Sequence, residues 1–148
     1  MISTVRQILQ NKSPEVWSVS PETTVLDALK LMAEKDIGAV LVMDGEKLVG
    51  IFSERDYARK VPLLGHSAEA TQVKELMTPD VYCVGPHQTV QECMALMTAK
   101  RIRHLPVVEN NKVIGIVTIG DVVKAVISDQ ALLLEEMEHY ISGTGYGR

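Results

Sequence analysis

Seven residues, Gly50-Ile51-Phe52-Ser53-Glu54-Arg55-Asp56, return sixty-five positions later as Gly115-Ile116-Val117-Thr118-Ile119-Gly120-Asp121, with a glycine, two apolar residues, a hydroxyl and an aspartate held in place. Laid without a gap, Val16 to Val61 matches Val81 to Val126 at Val16, Val19, Pro21, Thr24, Val25, Leu31, Met32, Lys35, Ile37, Val42, Lys47, Gly50, Ile51, Asp56 and Val61, or 15 of 46 positions. Recurring units usually pack on each other and share one kind of site. The chain is therefore expected to be two copies of one unit.

Divided in this way, the 148 residues give halves near the size at which a lone core is marginal, so the halves should bury their faces on each other. Hydrophobic content of 46 % with 23 % charged residues is ordinary for a globular chain. No apolar run approaches the roughly 18 residues of a membrane span, and no Lys/Arg cluster interleaves with aromatics as nucleic-acid binding requires. Neither membrane nor nucleic acid is expected as a partner. Met1 to Gln7 lacks a basic segment followed by an apolar stretch, which predicts no secretory signal and a cytoplasmic location. Cys83 and Cys93 lack the spacing and His partners of a zinc or redox site and read as small buried hydrophobes.

Ser3 can cap a short helix with Val5, Ile8 and Leu9 on one face, broken by Lys12-Ser13-Pro14 ahead of an alternating strand, Val16 to Val19. Val73, Leu76 and Met77, stopped by Pro79, are its counterpart. Thr24 with Asp27, and Thr89 with Glu92, read as helix starts with an acid at the third helical position. The first of these helices carries Leu26, Leu29, Met32 and Ala33 at helical spacing. Two strand-like runs follow, Ala39 to Met43 and Leu48 to Phe52, joined at Asp44-Gly45; Leu105 to Val108 and Val113 to Val117, joined at Asn110-Asn111, are their copies. Helices then begin at Ser53 and Thr118. The unit is strand-helix-strand-strand-helix, an α/β (α+β) fold, with a linker at Pro62 to Thr71 and domains expected at 1–70 and 71–148. Ser128 to Ile141 continues as helix, with Ala131, Leu132, Leu134, Met137 and Ile141 among glutamates, before a flexible tail at Gly143 to Gly147.

With this phrase at two strand-to-helix junctions, the sequence resembles the CBS domain family, in particular small stand-alone proteins made of one tandem CBS pair. The resemblance rests on Ile37-Gly38-Ala39-Val40, Ser53-Glu54-Arg55-Asp56-Tyr57, Arg101 to Val107 and Gly115 to Asp121. It implies two repeats packed with pseudo-two-fold symmetry and clefts that take adenine nucleotides or related adenosyl ligands. An ionised Asp56 or Asp121 can accept both ribose hydroxyls at once, a charge-assisted contact. Ser53 and Thr118 lie at helix starts, where free N–H groups and the dipole attract phosphate. Taken singly, a hydroxyl followed at the third position by an acid is also how helices are capped. The duplication and the resemblance favour the ligand reading.

By the family pattern the Asp121 cleft draws on Lys12 to Trp17, including Val16, and on Ile37-Gly38, with Ile116 beside it. The Asp56 cleft draws on Ile51, on Met77, Thr78, Asp80, Val81 and Tyr82, and on Ile102-Arg103. Trp17 and Tyr82 stand either beside adenine or in plain core. Arg103 and His104 could meet phosphate, and the first copy has Gly38 and Ala39 there instead. Arg55, where the second copy has Gly120, is expected to suit the Asp56 cleft to a compact mononucleotide such as AMP. The Asp121 cleft, relying on Thr118, His104 and Arg103, should accept a dinucleotide such as NAD. ADP and ATP are further candidates. His66, His87, His104 and His139 are scattered, with no nucleophile and base or metal cluster, so no enzyme is expected. The implied function is a non-catalytic sensor acting on an unidentified partner protein; the alternatives are a structural dimerisation module and an S-adenosylmethionine binder. A homodimer is expected through Tyr57, Val61, Val122 and Val126.

Overall fold

The computed structural model describes residues 3–65 and 67–141. His66 and the expected tail at Gly143 to Gly147 lie outside the described residues. The elements run α1 (Val5–Gln10), β1 (Ser18–Val19), α2 (Val25–Lys35), β2 (Ala39–Asp44), β3 (Lys47–Ser53), α3 (Glu54–Leu64), α4 (Val73–Leu76), α5 (Val90–Lys100), β4 (His104–Glu109), β5 (Lys112–Thr118) and α6 (Ile119–Ile141). Each copy thus repeats the expected order. In the second copy a bridge at Val84, parallel to Val107, takes the place of β1.

Contacts gather the chain into two compact units whose composition differs from the division at residue 70. One unit is Glu15–Cys83 with Asn110–Ile114; the other joins the stretch ending at Pro14 to Val84–Glu109 and the stretch from Gly115. Each copy therefore packs with the short helix that precedes the other copy in sequence. In the first unit Val73 and Leu76 of α4 are fully buried with Val25, Ala28, Met32, Val40, Val42 and Phe52. In the second, Val5 and Ile8 of α1 join Val84, Val90, Cys93, Met97, Leu105, Val107, Val117 and Val122. Backbone bonds repeat the pairing: Val25 N–H donates to Thr71 and Val73 N–H to Thr23, as Val5 N–H donates to Gln88 and Val90 N–H to Ser3. Thr71 to Val73 thus corresponds to Ser3 to Val5, sixty-eight residues apart, so the first leading segment is three residues longer than the sixty-five-residue repeat allows.

The first unit's sheet has the order β1-β2-β3, with β1 parallel to β2 across the α2 connection and β3 antiparallel to β2. That antiparallel register sets Ala39 opposite Ser53, so the strand start faces the helix start. The hairpin turns at Gly45, whose φ of +64° suits a residue without a side chain, and the second hairpin uses Asn110 and Asn111 at +54° and +63°.

Several sequence expectations shift by a residue or two. Thr4, not Ser3, caps α1, and Ser3 instead donates from its N–H and hydroxyl to Asp129 of α6. The strand expected from Val16 narrows to Ser18–Val19. The buried face of α2 is Val25, Ala28 and Met32, while Ala33 is exposed, because the helix starts at Val25 and the phase follows it. Helix α3 passes through Pro62 to Leu64 before Gly65 ends it at φ +67°, so the linker starts later than expected. A proline in the last turn leaves one backbone bond unmade without stopping the helix. Tyr57 and Val61 pack on the first core, Val122 is wholly buried in the second and Val126 packs on it. Of these four only Val122 is wholly buried; Tyr57, Val61 and Val126 remain half-buried. Cys83 is exposed, contrary to expectation, while Cys93 is buried.

The glycines of the repeated phrase mark where α4 and α1 pass. A Cβ on Gly50 would stand 2.5 Å from Met77 Sδ and 3.1 Å from the Thr78 carbonyl; for one on Gly115 the three nearest atoms all belong to the Leu9 side chain, the first at 2.7 Å. Leu9 can turn aside, whereas the Thr78 backbone is held by two hydrogen bonds to Ile51. Gly50→Ala should therefore cost about 1 to 3 kcal/mol of stability, the usual range for overpacking, and Gly115→Ala less. Denaturant unfolding of the two variants compares them directly, and equal costs would contradict the rigid-carbonyl account.

Candidate functional site

Asp56 is the third residue of α3, and its carboxylate closes a capping box with Ser53. Oδ2 accepts from the Ser53 N–H at 2.9 Å and from the Ser53 hydroxyl at 3.0 Å, while the Asp56 N–H donates to that hydroxyl oxygen at 3.2 Å. Oδ1 accepts from the Thr78 hydroxyl at 3.2 Å and lies 3.3 Å from Lys60 Nζ. Lys60 also donates to the Leu76 carbonyl at 2.8 Å, which fixes its ammonium over the site. Lys60 is not among the sequence candidates; its position one helical turn after Asp56 was the available signal.

Asp121 holds the matching position in α6. Oδ2 accepts from the Thr118 N–H at 2.9 Å, and the Asp121 N–H donates to the Thr118 hydroxyl at 3.1 Å. The cation, however, arrives from the leading segment: Lys12 Nζ donates to Asp121 Oδ2 at 2.7 Å and to the Ile116 carbonyl at 2.9 Å. In the first unit the matching carbonyl, Ile51, accepts from the Thr78 N–H. One ammonium thus takes the places that the hydroxyl and amide of Thr78 hold around Asp56. Lys12 can do so because it lies in the three-residue excess of the first leading segment, while Ala125 stands where Lys60 would repeat. Burial pushes the Asp121 carboxyl upward, yet the hydrogen bond and charge of Lys12 and the two Thr118 bonds outweigh it and leave the group below its ordinary value. It is ionised near neutrality.

The remaining sequence candidates sort by unit. Ile37, Gly38, Ile51, Met77, Thr78, Asp80, Val81 and Tyr82 belong with Asp56, as do Val16 and Trp17; Lys12, Ile102, Arg103, His104, Ile116 and Thr118 belong with Asp121. Within its unit, Gly38 is beside the Ser53 helix start, its carbonyl accepting from the Glu54 N–H; Arg103 does the same for Ile119. Both contacts follow from the antiparallel hairpin, which returns the second strand to the first strand's beginning. Arg55 and Arg103 are exposed, and Tyr82 is 43 % exposed. Trp17 packs partly on the first core with Lys35 Nζ 4.4 Å from its ring centroid. Burial, with a smaller contribution from Glu92, raises the Cys93 thiol to about 11, so it stays protonated and is no nucleophile. Among the described residues no cluster of three or more His, Cys, Asp and Glu could hold a metal ion, and no helix is long and apolar enough to cross a membrane.

Comparison with known proteins agrees with this duplicated geometry. The model of the CBS domain matches residues 5–62 and 73–128. The mitochondrial CBS domain-containing protein CBSX3 of Arabidopsis thaliana is 38 % identical, over 97 % of this chain and 74 % of its own length. A solved CBS-domain protein of Burkholderia ambifaria is 53 % identical with a TM-score of 0.84, over 86 % of this chain and 96 % of that one. A CBS domain pair solved with 5′-methylthioadenosine and S-adenosyl-L-methionine shares the fold at 24 % identity, with a TM-score of 0.74, over 87 % of this chain and 99 % of that one. The CBSX3 relative is named for the mitochondrion, whereas the sequence reading expects the cytoplasm.

The lowered Asp121 value fixes a pH dependence. Its folded pKa lies below that of the unfolded chain, so its contribution to stability is complete above the ordinary carboxylate value of about 3.9 and is lost as pH falls through the folded value. Lys12→Met should shrink this acid-dependent contribution. Thermal unfolding of parent and variant between neutral pH and about pH 3 measures it, and parallel curves would show that Lys12 is not the partner that matters.

Proposed function

The chain belongs to the CBS domain family, and on that premise we propose that it is a non-catalytic regulatory module whose Asp56 and Asp121 carboxylates receive the ribose hydroxyls of an adenosine-containing ligand. The observation that supports this most is that each unit builds an ionisable carboxylate at a helix start and fixes it with a lysine anchored on a backbone carbonyl. A carboxylate held in this way keeps a set direction, as bidentate recognition of two adjacent hydroxyls requires. The helix starts at Ser53 and Thr118 are suited to phosphate. AMP is the first candidate, followed by ADP, ATP and NAD, and the ligand state would be passed to a partner protein.

The two carboxylates differ in what a ligand must displace. A carboxylate has about four acceptor positions. Around Asp56 the Ser53 amide and hydroxyl, Thr78 and Lys60 occupy them, whereas around Asp121 the bonds from Lys12 and from the Thr118 N–H both fall on Oδ2, and the Thr118 hydroxyl adds to them. Asp121 can therefore accept ribose through Oδ1 with the Lys12 and Thr118 N–H bonds retained, and it should fill first. Arg55, one position before Asp56, remains the feature that favours a mononucleotide in the other site.

Calorimetric titration with AMP, ADP, ATP, NAD and S-adenosylmethionine tests this reading. Because both aspartates are also helix caps, asparagine is the informative replacement, with folding checked by thermal melting. Asp121→Asn should weaken the tighter site by about 1 to 3 kcal/mol and Asp56→Asn the weaker one. No binding by the folded parent, or variants that bind like the parent, would leave the carboxylates as caps alone.

A further inference from the structure

Helices α1 and α6 pack on each other within the second unit, and a cavity of about 170 Å³ lies between them. Gln7 and Asn11 line it from α1, Lys124 and Ser128 from α6, and the Lys12–Asp121 pair forms part of its wall. Its apolar lining is only Ile8 and Ala125. Ala125 stands where Lys60 would repeat, so the room that a lysine stem would fill is left open. Pockets for drug-sized ligands run from about 300 to 1,000 Å³, while one water takes about 30 Å³ of liquid volume. The cavity therefore suits a group of a few heavy atoms and is too small for a nucleoside.

The uncommitted polar groups around this cavity are mostly donors. Lys12 has three ammonium protons and uses two, on Asp121 Oδ2 and on the Ile116 carbonyl. Gln7 spends its side-chain oxygen on the Thr4 N–H at 2.9 Å, which leaves its NH2 group. Among the described residues no ion pair or side-chain hydrogen bond engages Lys124, Asn11 or Ser128. The carboxylates are already engaged: Asp121 Oδ2 by Lys12 and Thr118, and both oxygens of Asp129 by the amide and hydroxyl of Ser3, at 3.0 and 2.6 Å. Lys124 is the charge left without compensation. We propose that the cavity is a site for a small oxyanion of phosphate size, held by Lys124 and by the third proton of Lys12, with Gln7, Asn11 and Ser128 as further donors. A phosphate group accepts at every oxygen and carries the charge that two ammonium groups call for; a cation would meet both of them. Gln7, Asn11, Lys124 and Ser128 take no part in the ribose site, so the inference goes beyond the nucleotide reading and shares with it only Lys12 and Asp121. Free phosphate and a phosphate carried by a nucleotide on Asp121 have this chemistry in common.

Calorimetric titration of the full chain with inorganic phosphate, at fixed ionic strength and without nucleotide, should show a single saturable site. Because no nucleotide is present, a failure of the adenosine reading leaves this result standing. Lys124→Gln should weaken the site about tenfold or more, and so should Ser128→Asp, which sets a carboxylate one helical turn from Lys124. Lys112→Gln removes the same charge from an exposed position of β5 and should leave binding unchanged. Thermal melting without phosphate checks that the three variants fold. Repeating the parent titration with saturating adenosine or AMP separates the two sources: phosphate bound alongside both identifies the free ion, and phosphate excluded by AMP but not by adenosine identifies the nucleotide's own phosphate. No saturable binding, a Lys124→Gln variant that binds like the parent, an equal loss in Lys112→Gln, or exclusion by adenosine itself would each overturn the proposal.

Discussion

A charged carboxylate at the start of a helix, set in a partly buried place, makes most of the other features of each unit necessary. Asp56 and Asp121 have 14 % and 23 % of their side chains exposed, so neither can rely on water alone to solvate its charge. Each is satisfied by its own helix start and by a lysine. The lysine in turn needs an acceptor for a second proton, which the Leu76 carbonyl supplies in one unit and the Ile116 carbonyl in the other. A half-buried ion pair of this kind fixes direction more than it adds stability. Direction is what a ribose acceptor needs.

The same constraint explains why the compact units cut across the repeats. The segment that follows α4 carries Thr78, and the one that follows α1 carries Lys12; each must lie against the carboxylate it completes. The short helices bring them there, burying Val73 and Leu76 in one core and Val5 and Ile8 in the other. The close passage is open because Gly50 and Gly115 have no side chain in the way of Met77 and Leu9. Glycine, leading helix, lysine and aspartate form one dependent set. In the second copy Ala125 stands in the place of Lys60, and Lys12 supplies the ammonium to Asp121 instead.

What could be read from the sequence was the local grammar. Thr24, Thr89 and Ser53 cap helices where their spacing to an acid says they should, and the hairpins turn at Gly45 and at Asn110-Asn111. Each of those signals is complete within a few residues. Which helix packs on which core is not, because Val5 and Ile8 present the same apolar pattern as Val73 and Leu76, and nothing in a periodicity names its partner. Lys12 was legible as a candidate but not as the partner of Asp121, since the three-residue excess that frees it to reach the carboxylate shows only when backbone bonds are matched between units.

Helix phase was the other loss, and it decides which surfaces are open. One residue along a helix turns the side chain by about 100°, so Val122 enters the core while Val123 stays 47 % exposed, and Ala28 is buried where Ala33 is not. A run such as Val122-Val123 is apolar on both counts, and sequence alone cannot say which member the core takes. Once Val122 is seen inside, the phase of the whole of α6 is set. The residues that then face outward include Val123, Ile127, Leu134, Met137 and Ile141. Of the residues that the sequence reading expects at a dimer contact, Val122 is thus wholly buried and Val126 packs against the second core.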